Sequence, residues 1–314
     1  MQTFSVFIRQ LRLESDNVVS VELEPVPGVQ LPPATPGAHV DVQVPGAGVR
    51  SYSLIETPSS AARWRIAVKH EAQGRGGSRW FHDTARVGTA LQVALPANDF
   101  QLAEDATHSI FIAGGIGITP LLAMIGRLAA LGRSWELHYA AASRNSMPFQ
   151  DALAARAGGR VVKHFSEDGL GRLDIAALIG GATPDTHFYC CGPSGMIDSF
   201  LAASQSRMPA TVHYERFAAR QEAATDGGFV LQLARDGRCL PVPGGKSILD
   251  VLLDAGLDVP YSCTQGVCGT CRIAVLDGEP EHRDDFLTDE EKAANSALMA
   301  CCSGARSARL TLDL

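Results

Sequence analysis

The chain has 314 residues, with 34 Asp and Glu against 27 Lys and Arg for a net charge of −7, and 46% of its residues are hydrophobic. This composition excludes a strongly basic nucleic-acid-binding face and supplies enough apolar side chains for two or three cored domains. The longest uncharged run, Ser109 to Gly126, is broken by Gly114, Gly115, Gly117 and Pro120, so a strand, a turn and a helix are expected there rather than a membrane span.

The stretch from Met1 to Arg9 has no basic start followed by an apolar segment, so no signal peptide is expected. Eight cysteines in such a context point to metal ligation in a reducing cytoplasm rather than to disulfides.

Residues 1–103 alternate apolar and polar positions at Val19, Val21 and Leu23, at Val40, Val42 and Val44, at Trp64, Ile66 and Val68, and at Leu91, Val93 and Leu95. A period of two with Gly and Pro punctuation predicts an antiparallel sheet or β-barrel. Two stretches inside it carry chemistry. Arg50-Ser51-Tyr52-Ser53 places a cation suited to phosphate, an aromatic ring and hydroxyls on one extended segment. The second runs from Lys69 through Gly76, Gly77 and Ser78 to His82, a glycine-rich loop entering a short helix, where free N–H groups suit a terminal phosphate. Each alone is compatible with an ordinary exposed strand or surface loop. Together they suggest a mononucleotide lying across a barrel.

Residues 104–217 change to strand–helix alternation, the pattern of a doubly wound parallel α/β domain. Strands are expected over 109–113, 135–141, 160–165 and 187–191. Gly114, Gly115, Gly117, Thr119 and Pro120 form the first strand-to-helix turn, where backbone can approach a pyrophosphate, with Pro120 opening a helix to Leu131. Cys191-Gly192-Pro193 follows the last parallel strand, where such folds bind ligands. A packing role is expected for Cys190. The turn Ser166-Glu167-Asp168-Gly169 is either a ribose or nicotinamide contact or a plain acidic turn, and Arg144 is either a 2′-phosphate contact or merely exposed.

Residues 218–228 read as a polar linker, and 229–314 as a sheet gripping one helix, the β-grasp pattern. Ser247 and Thr288 are expected helix N-caps. Within this domain stands Cys263-x4-Cys268-x2-Cys271, completed far downstream by Cys301 or Cys302. That spacing is the plant-type arrangement for a [2Fe–2S] cluster, whereas zinc sites present two short Cys pairs. Gly266 and Gly269 permit the loop to fold around the sulfurs. The acidic residues from Asp277 to Glu291 are a solvated face that would also steer a basic partner.

Taken together, the three segments resemble the phthalate dioxygenase reductase family, which includes vanillate O-demethylase reductases, over essentially the whole chain. The resemblance implies an FMN site at Arg50, Tyr52, Ser53, Lys69, Gly76, Gly77 and Ser78, and a nicotinamide-nucleotide loop from Gly114 to Pro120. It implies that Cys191, Gly192 and Pro193 lie near the nicotinamide and Phe217 near the flavin, so that Cys191, Ser53 and Phe217 are the expected reaction-site residues. It aligns Cys301 as the fourth cluster ligand. It also implies NADH as donor and a separate Rieske-type oxygenase as acceptor, whose substrate this sequence does not reveal. A cytochrome P450 acceptor, or a redox-sensing role, remains the alternative.

Overall fold

The computed structural model describes residues 2–56, 63–154, 158–167 and 173–314, so Asp168 and Gly169 of the acidic turn lie outside the described residues. Two compact units divide the chain, Met1–Arg216 and Phe217–Leu314.

The first unit opens with strands β1 (Thr3–Ser15), β2 (Val18–Pro25), β3 (His39–Val44), β4 (Gly48–Ser53), β5 (Trp64–Lys69) and β6 (Ala90–Ala94). They form one antiparallel sheet in the order β4-β3-β6-β1-β2-β5. Just beyond β4, Ile55 N–H donates to Arg65 O across 2.9 Å, so the two edge strands return toward each other as a barrel requires. The alternating residues point inward: Val21, Leu23, Val40, Val42, Val44, Ile66 and Val93 are all 0% exposed. Leu95, expected to continue the last alternation, lies beyond β6 and is exposed. Helix α1 (Gly77–Asp83) buries Phe81 in the same core.

The same unit continues through β7 (His108–Gly114), α2 (Ile118–Ala130), β8 (Ser134–Ala141), α3 (Gln150–Ala154), β9 (Gly159–Phe165), α4 (Ile175–Gly180), β10 (His187–Cys191), α5 (Ser194–Ala203) and β11 (Val212–Glu215). The strands make a parallel sheet in the order β11-β10-β7-β8-β9. Alternation along each strand feeds two cores. Phe111, Tyr139 and Tyr189 pack with α2, while Ile110, Ile112, Phe188 and Cys190 pack with α4 and α5. The order reverses between β7 and β10, so their C-terminal ends form the crevice where open α/β sheets bind ligands. Helix α2 starts at Ile118, earlier than the sequence reading, because a tight turn over Gly115–Gly117 already winds the chain. Pro120 therefore sits within the first turn, where a missing N–H costs nothing.

The second unit holds β12 (Phe229–Leu233), β13 (Cys239–Val242), α6 (Ile248–Asp254), β14 (Arg272–Asp277), β15 (Pro280–Glu281), α7 (Asp289–Ala294), β16 (Ala297–Met299), β17 (Gly304–Ala305) and β18 (Arg309–Leu312). Its main sheet runs β13-β12-β18-β14-β16, with β12 and β18 parallel and the other pairs antiparallel. Helix α6 buries Ile248, Leu249 and Leu252 against it. Ser247 and Thr288 each complete a reciprocal capping box, with Asp250 and Glu291. Residues 218–228 run along this unit: Ala219 N–H donates to Gln265 O at 2.9 Å and Ala224 N–H to Cys302 O at 2.8 Å.

Candidate functional site

In the barrel, the two chemistry-bearing stretches are one structure. Arg50 on β4 reaches the glycine-rich loop, where its Nη2 donates to Arg75 O at 3.0 Å. Its methylenes pass so close to Gly77 that a Cβ there would lie 2.8 Å from Arg50 Cγ. Gly76, at φ +90°, turns the loop into α1. Tyr52 stands edge-on to Phe81 at 5.5 Å, and burial pushes its hydroxyl up to about 12 against the opposing pull of Arg50. The phenol is therefore a neutral hydrogen-bonding group at any physiological pH. Ser53 is buried beside it at the end of β4. Lys69 and Ser78 turn instead to Glu71: Lys69 pairs with its carboxylate at 2.6 Å, and Ser78 Oγ accepts its N–H at 3.0 Å.

At the switch point, the loops after β7 and β10 meet at backbone distance. A Cβ on Gly117 would lie 2.2 Å from Cys191 O, and one on Gly114 would lie 2.5 Å from Pro193 Cδ. Glycine is therefore required at both positions, and Gly192 packs directly on Gly114. Gly115 faces open space, while Tyr139 donates its hydroxyl to Gly115 O at 3.0 Å and fixes the turn from behind. Thr119 and Pro120 are buried and serve the turn, Thr119 by donating to Ile116 O at 3.0 Å. Arg144 lays its guanidinium over the Phe165 ring, 4.8 Å from the centroid, where β8 and β9 end.

Cys191 is 1% exposed and lies opposite Ala113 on one side and Glu215 on the other. Burial, then Glu215 and Cys190, push its thiol well above the ordinary range, so it presents a neutral, polarisable surface and no thiolate. Cys190 faces the opposite side of the sheet, among Ile112 and Phe188.

Glu215, which the sequence reading passed over, ends β11 beside Cys191. Its Oε2 is buried without a hydrogen-bond partner among the described residues, and burial followed by the Asp99 carboxylate pushes it up to about 8. The available signal was a carboxylate at the C-terminal end of the edge strand of a parallel sheet. Phe217, two residues on, belongs to the second unit and is 39% exposed.

In the second unit Cys263 interacts with Cys268 and Cys271 with Cys301, and Cys301 also meets Cys302. Two irons that each take two protein thiolates need two pairs, which Cys263 with Cys268 and Cys271 with Cys301 would supply. Backbone amides of the loop point at the sulfurs, with Gln265 N–H 3.3 Å from Cys263 Sγ and the Gly266 N–H directed at Cys301. Thr270 Oγ1 lies 3.3 Å from Cys268 Sγ. The residues present thus fit a [2Fe–2S] group. The fit has a conformational cost. Thr264 at φ 52° is held in the left-handed region, about 1–3 kcal/mol for such a residue. Gly266 and Gly269 have positive φ, and a Cβ on Gly269 would run into the Phe286 ring at 2.2 Å. Cys302 sits beside Cys301 but turns its thiol toward Met299 O at 3.8 Å and against Gly266.

A barrel with a joined arginine–glycine loop, a switch-point crevice and a thiolate-lined loop, on a single chain, define an electron-transfer oxidoreductase of the flavin and iron–sulfur class. Residues 231–306 match the 2Fe-2S iron-sulfur cluster binding domain. Phenoxybenzoate dioxygenase subunit beta of Ectopseudomonas oleovorans is 48% identical over 314 residues, which is 100% of this chain and 98% of that one. The solved phthalate dioxygenase reductase, described as a modular structure for electron transfer from pyridine nucleotides to [2Fe-2S], has a TM-score of 0.86 at 37% identity and covers 99% of this chain and 98% of its own. An intact type IV self-sufficient cytochrome P450 monooxygenase gives 0.76 at 37% identity, over 99% of this chain and 41% of that one. The chain belongs to the phthalate dioxygenase reductase family.

Two outcomes follow from this geometry. Cys301→Ser abolishes the rhombic EPR signal of the reduced protein, whereas Cys302→Ser retains it; the opposite pattern would reverse the two assignments. For Glu215, the raised folded-state value means that the folded chain keeps a proton that the unfolded chain has released. Stability associated with this group is fully present below pH 4.5 and is lost as pH rises to about 8. The slope reaches at most about 1.4 kcal/mol per pH unit, and Glu215→Gln flattens it in urea unfolding measured between pH 5 and 8.

Proposed function

We propose that this protein is the reductase component of a multicomponent Rieske-type oxygenase, carrying electrons from NADH through FMN and a [2Fe–2S] cluster to a separate oxygenase. The observation that carries the reading is the pairing of Cys263 with Cys268 and of Cys271 with Cys301, downstream of a switch-point crevice suited to a dinucleotide. The assigned domains are 1–103 for flavin, 104–217 for NADH and 229–314 for the cluster, joined through 218–228. The proposed location is the cytoplasm; no helix among the described residues is long and apolar enough to cross a membrane.

When bound, flavin and cluster together turn a two-electron donor into a source of single electrons. The chain's own residues bind, orient and exclude. Arg50 would hold the flavin phosphate together with the loop at Gly76 and Gly77, and its existing bonds to Val49 O and Arg75 O aim the guanidinium in advance. Tyr52 and Ser53 would lie along the flavin ring system. Lys69 and Ser78 would reach it only by giving up their present bonds to Glu71. Gly114, Gly115 and Gly117, with Gly192 and Pro193, would admit the nucleotide backbone, while Thr119 and Pro120 shape that loop from behind. Cys191 supplies a neutral face to the nicotinamide, and Glu215 keeps its proton at neutral pH and adds no negative charge there. Phe217 is carried over from the family resemblance as the aromatic residue expected near the flavin. N–H groups of the cluster loop set the potential of the bound group.

A cytochrome P450 acceptor is the second reading. A self-sufficient cytochrome P450 monooxygenase carries a match to 99% of this chain within its own length. The oxygenase reading is preferred because phenoxybenzoate dioxygenase subunit beta is a separate subunit matched end to end.

The test is NADH-dependent cytochrome c reduction. Turnover that is lost in Cys268→Ser, while NADH still bleaches the flavin, supports the proposed path; turnover unchanged in that variant defeats it. Arg50→Ala removes one charge-assisted contact of about 1.5–3 kcal/mol and weakens FMN retention on the order of 10- to 100-fold. Flavin absorbance after dialysis reports this, and full retention would remove Arg50 from the site.

A further inference from the structure

The stretch from Lys69 to His82 carries three cations of fixed charge, Lys69, Arg75 and Arg79, and a single acid, Glu71. The backbone holds that acid in place. Its N–H donates to Ser78 Oγ at 3.0 Å, and its carbonyl accepts the Gly74 N–H at 3.1 Å. A Cβ on Gly74 would lie 3.1 Å from Glu71 Cβ, so the loop closes tightly on this residue. The preceding residue is tied to the barrel, where His70 N–H donates to Asn17 O at 2.8 Å. From this anchored start the Glu71 carboxylate reaches back to Lys69 Nζ at 2.6 Å. Ser78 follows Gly77, which lies against the Arg50 side chain. Contacts therefore run without a gap from Arg50 through Gly77 and Ser78 to Glu71 and Lys69.

Two groups suited to a phosphate thus meet one residue, and the two bonds differ in kind. Ser78 holds the Glu71 backbone and fixes where the side chain begins. Lys69 holds the carboxylate, an oxyanion of the same sign as a phosphate and a partner for the same ammonium donors. The Lys69 and Glu71 side chains are 39% and 59% exposed, so they can part into water without stranding a buried charge. A pair this exposed adds little to folding. Its effect falls instead on any anion that competes for the lysine. Such an anion must break the pair first, and it then sits near a carboxylate that repels it.

We propose that Glu71 is an internal competitor for the flavin phosphate: its carboxylate occupies Lys69 until a phosphate monoester displaces it, and so limits how tightly FMN is held. The inference rests on the reading of Arg50, Lys69, Gly76, Gly77 and Ser78 as the flavin-phosphate site. A phosphate monoester carries about −1.5 to −2 charges at pH 7, against one on the carboxylate, so the exchange runs toward the phosphate. No covalent bond changes; one ion pair replaces another. A flavin without a phosphate leaves the Lys69–Glu71 pair standing and gains nothing from the lysine. Glu71 therefore acts on the charged end of the flavin and not on its ring system.

The test compares FMN with riboflavin on the full-length chain, freed of flavin by dialysis, with binding read from the quenching of flavin fluorescence. Glu71→Gln keeps the side chain's shape and removes its charge. It is expected to tighten FMN roughly three- to tenfold at low salt and to leave riboflavin unchanged. The gain is expected to shrink in about 0.5 M salt, where exposed charges are screened. Lys69→Gln is the second variant. It is expected to weaken FMN more in the Glu71→Gln background than in the wild-type chain, because there the lysine no longer exchanges one anion for another. FMN binding that is weakened or unmoved by Glu71→Gln, a gain shared by riboflavin, or additive effects of the two substitutions overturns the proposal. A wild-type chain that binds FMN and riboflavin equally well defeats the phosphate-site reading itself. A clear preference for FMN that Glu71→Gln leaves unmoved defeats only the role of Glu71.

Discussion

Everything in the second unit answers to one constraint: four cysteine sulfurs must be brought together in two pairs while backbone N–H groups are aimed at them. Sulfur alone does not favour such a gathering, because crowded thiolates repel and buried ones lose solvation. The fold meets the cost with backbone geometry. Thr264, Gly266 and Gly269 turn the chain left-handed three times within the loop, and the freed amides face inward. Strand β16 and the turn after it bring Cys301 from the far end of the sequence. The stretch 219–224 and the segment 284–286 then bond to this assembly from outside, so the ligand loop is gripped rather than left as a free surface turn.

The first unit solves a different problem by the same economy of close approach. At the switch point two glycine-bearing loops meet at backbone distance, so neither can carry a side chain there. Three titratable groups of this unit are held neutral by burial: Cys191 stays a thiol, Tyr52 a phenol and Glu215 a carboxylic acid. Arg50 is the cation in the barrel that has been pre-aimed, because its own strand and the glycine-rich loop share it.

How far the sequence disclosed this depends on how local each cause is. The cysteine spacing was legible because three of the four ligands lie inside nine residues. The barrel strands β2, β3 and β5 were legible because one buried face imposes a period of two, and the caps at Ser247 and Thr288 because a capping box closes within four residues. Strand β1 was not, although it spans 13 residues, because irregularities near Ile8–Gln10 and Leu13–Ser15 break the alternation. Leu95 fits the pattern yet lies past the last ladder bond. Glu215 was illegible for a deeper reason. Its state is set by burial and by the Asp99 carboxylate, and nothing in the neighbouring letters announces such a partner.

Charge distribution carries the last step. Of the net −7, the second unit holds fifteen acidic against nine basic residues, so the first unit is almost neutral. Several of those acids are spent within the unit, as Asp285 is on Arg220 and Asp254 on Lys246. Local pairing does not remove the long-range field, because a partner approaching from beyond a Debye length responds to net sign rather than to individual contacts. Phe286 is 45% exposed and lies against Gly269 of the cluster loop. A net-negative unit steers a positively charged surface toward it at long range and changes the rate of encounter more than its strength. A carrier that releases its electrons one at a time needs encounters of that kind.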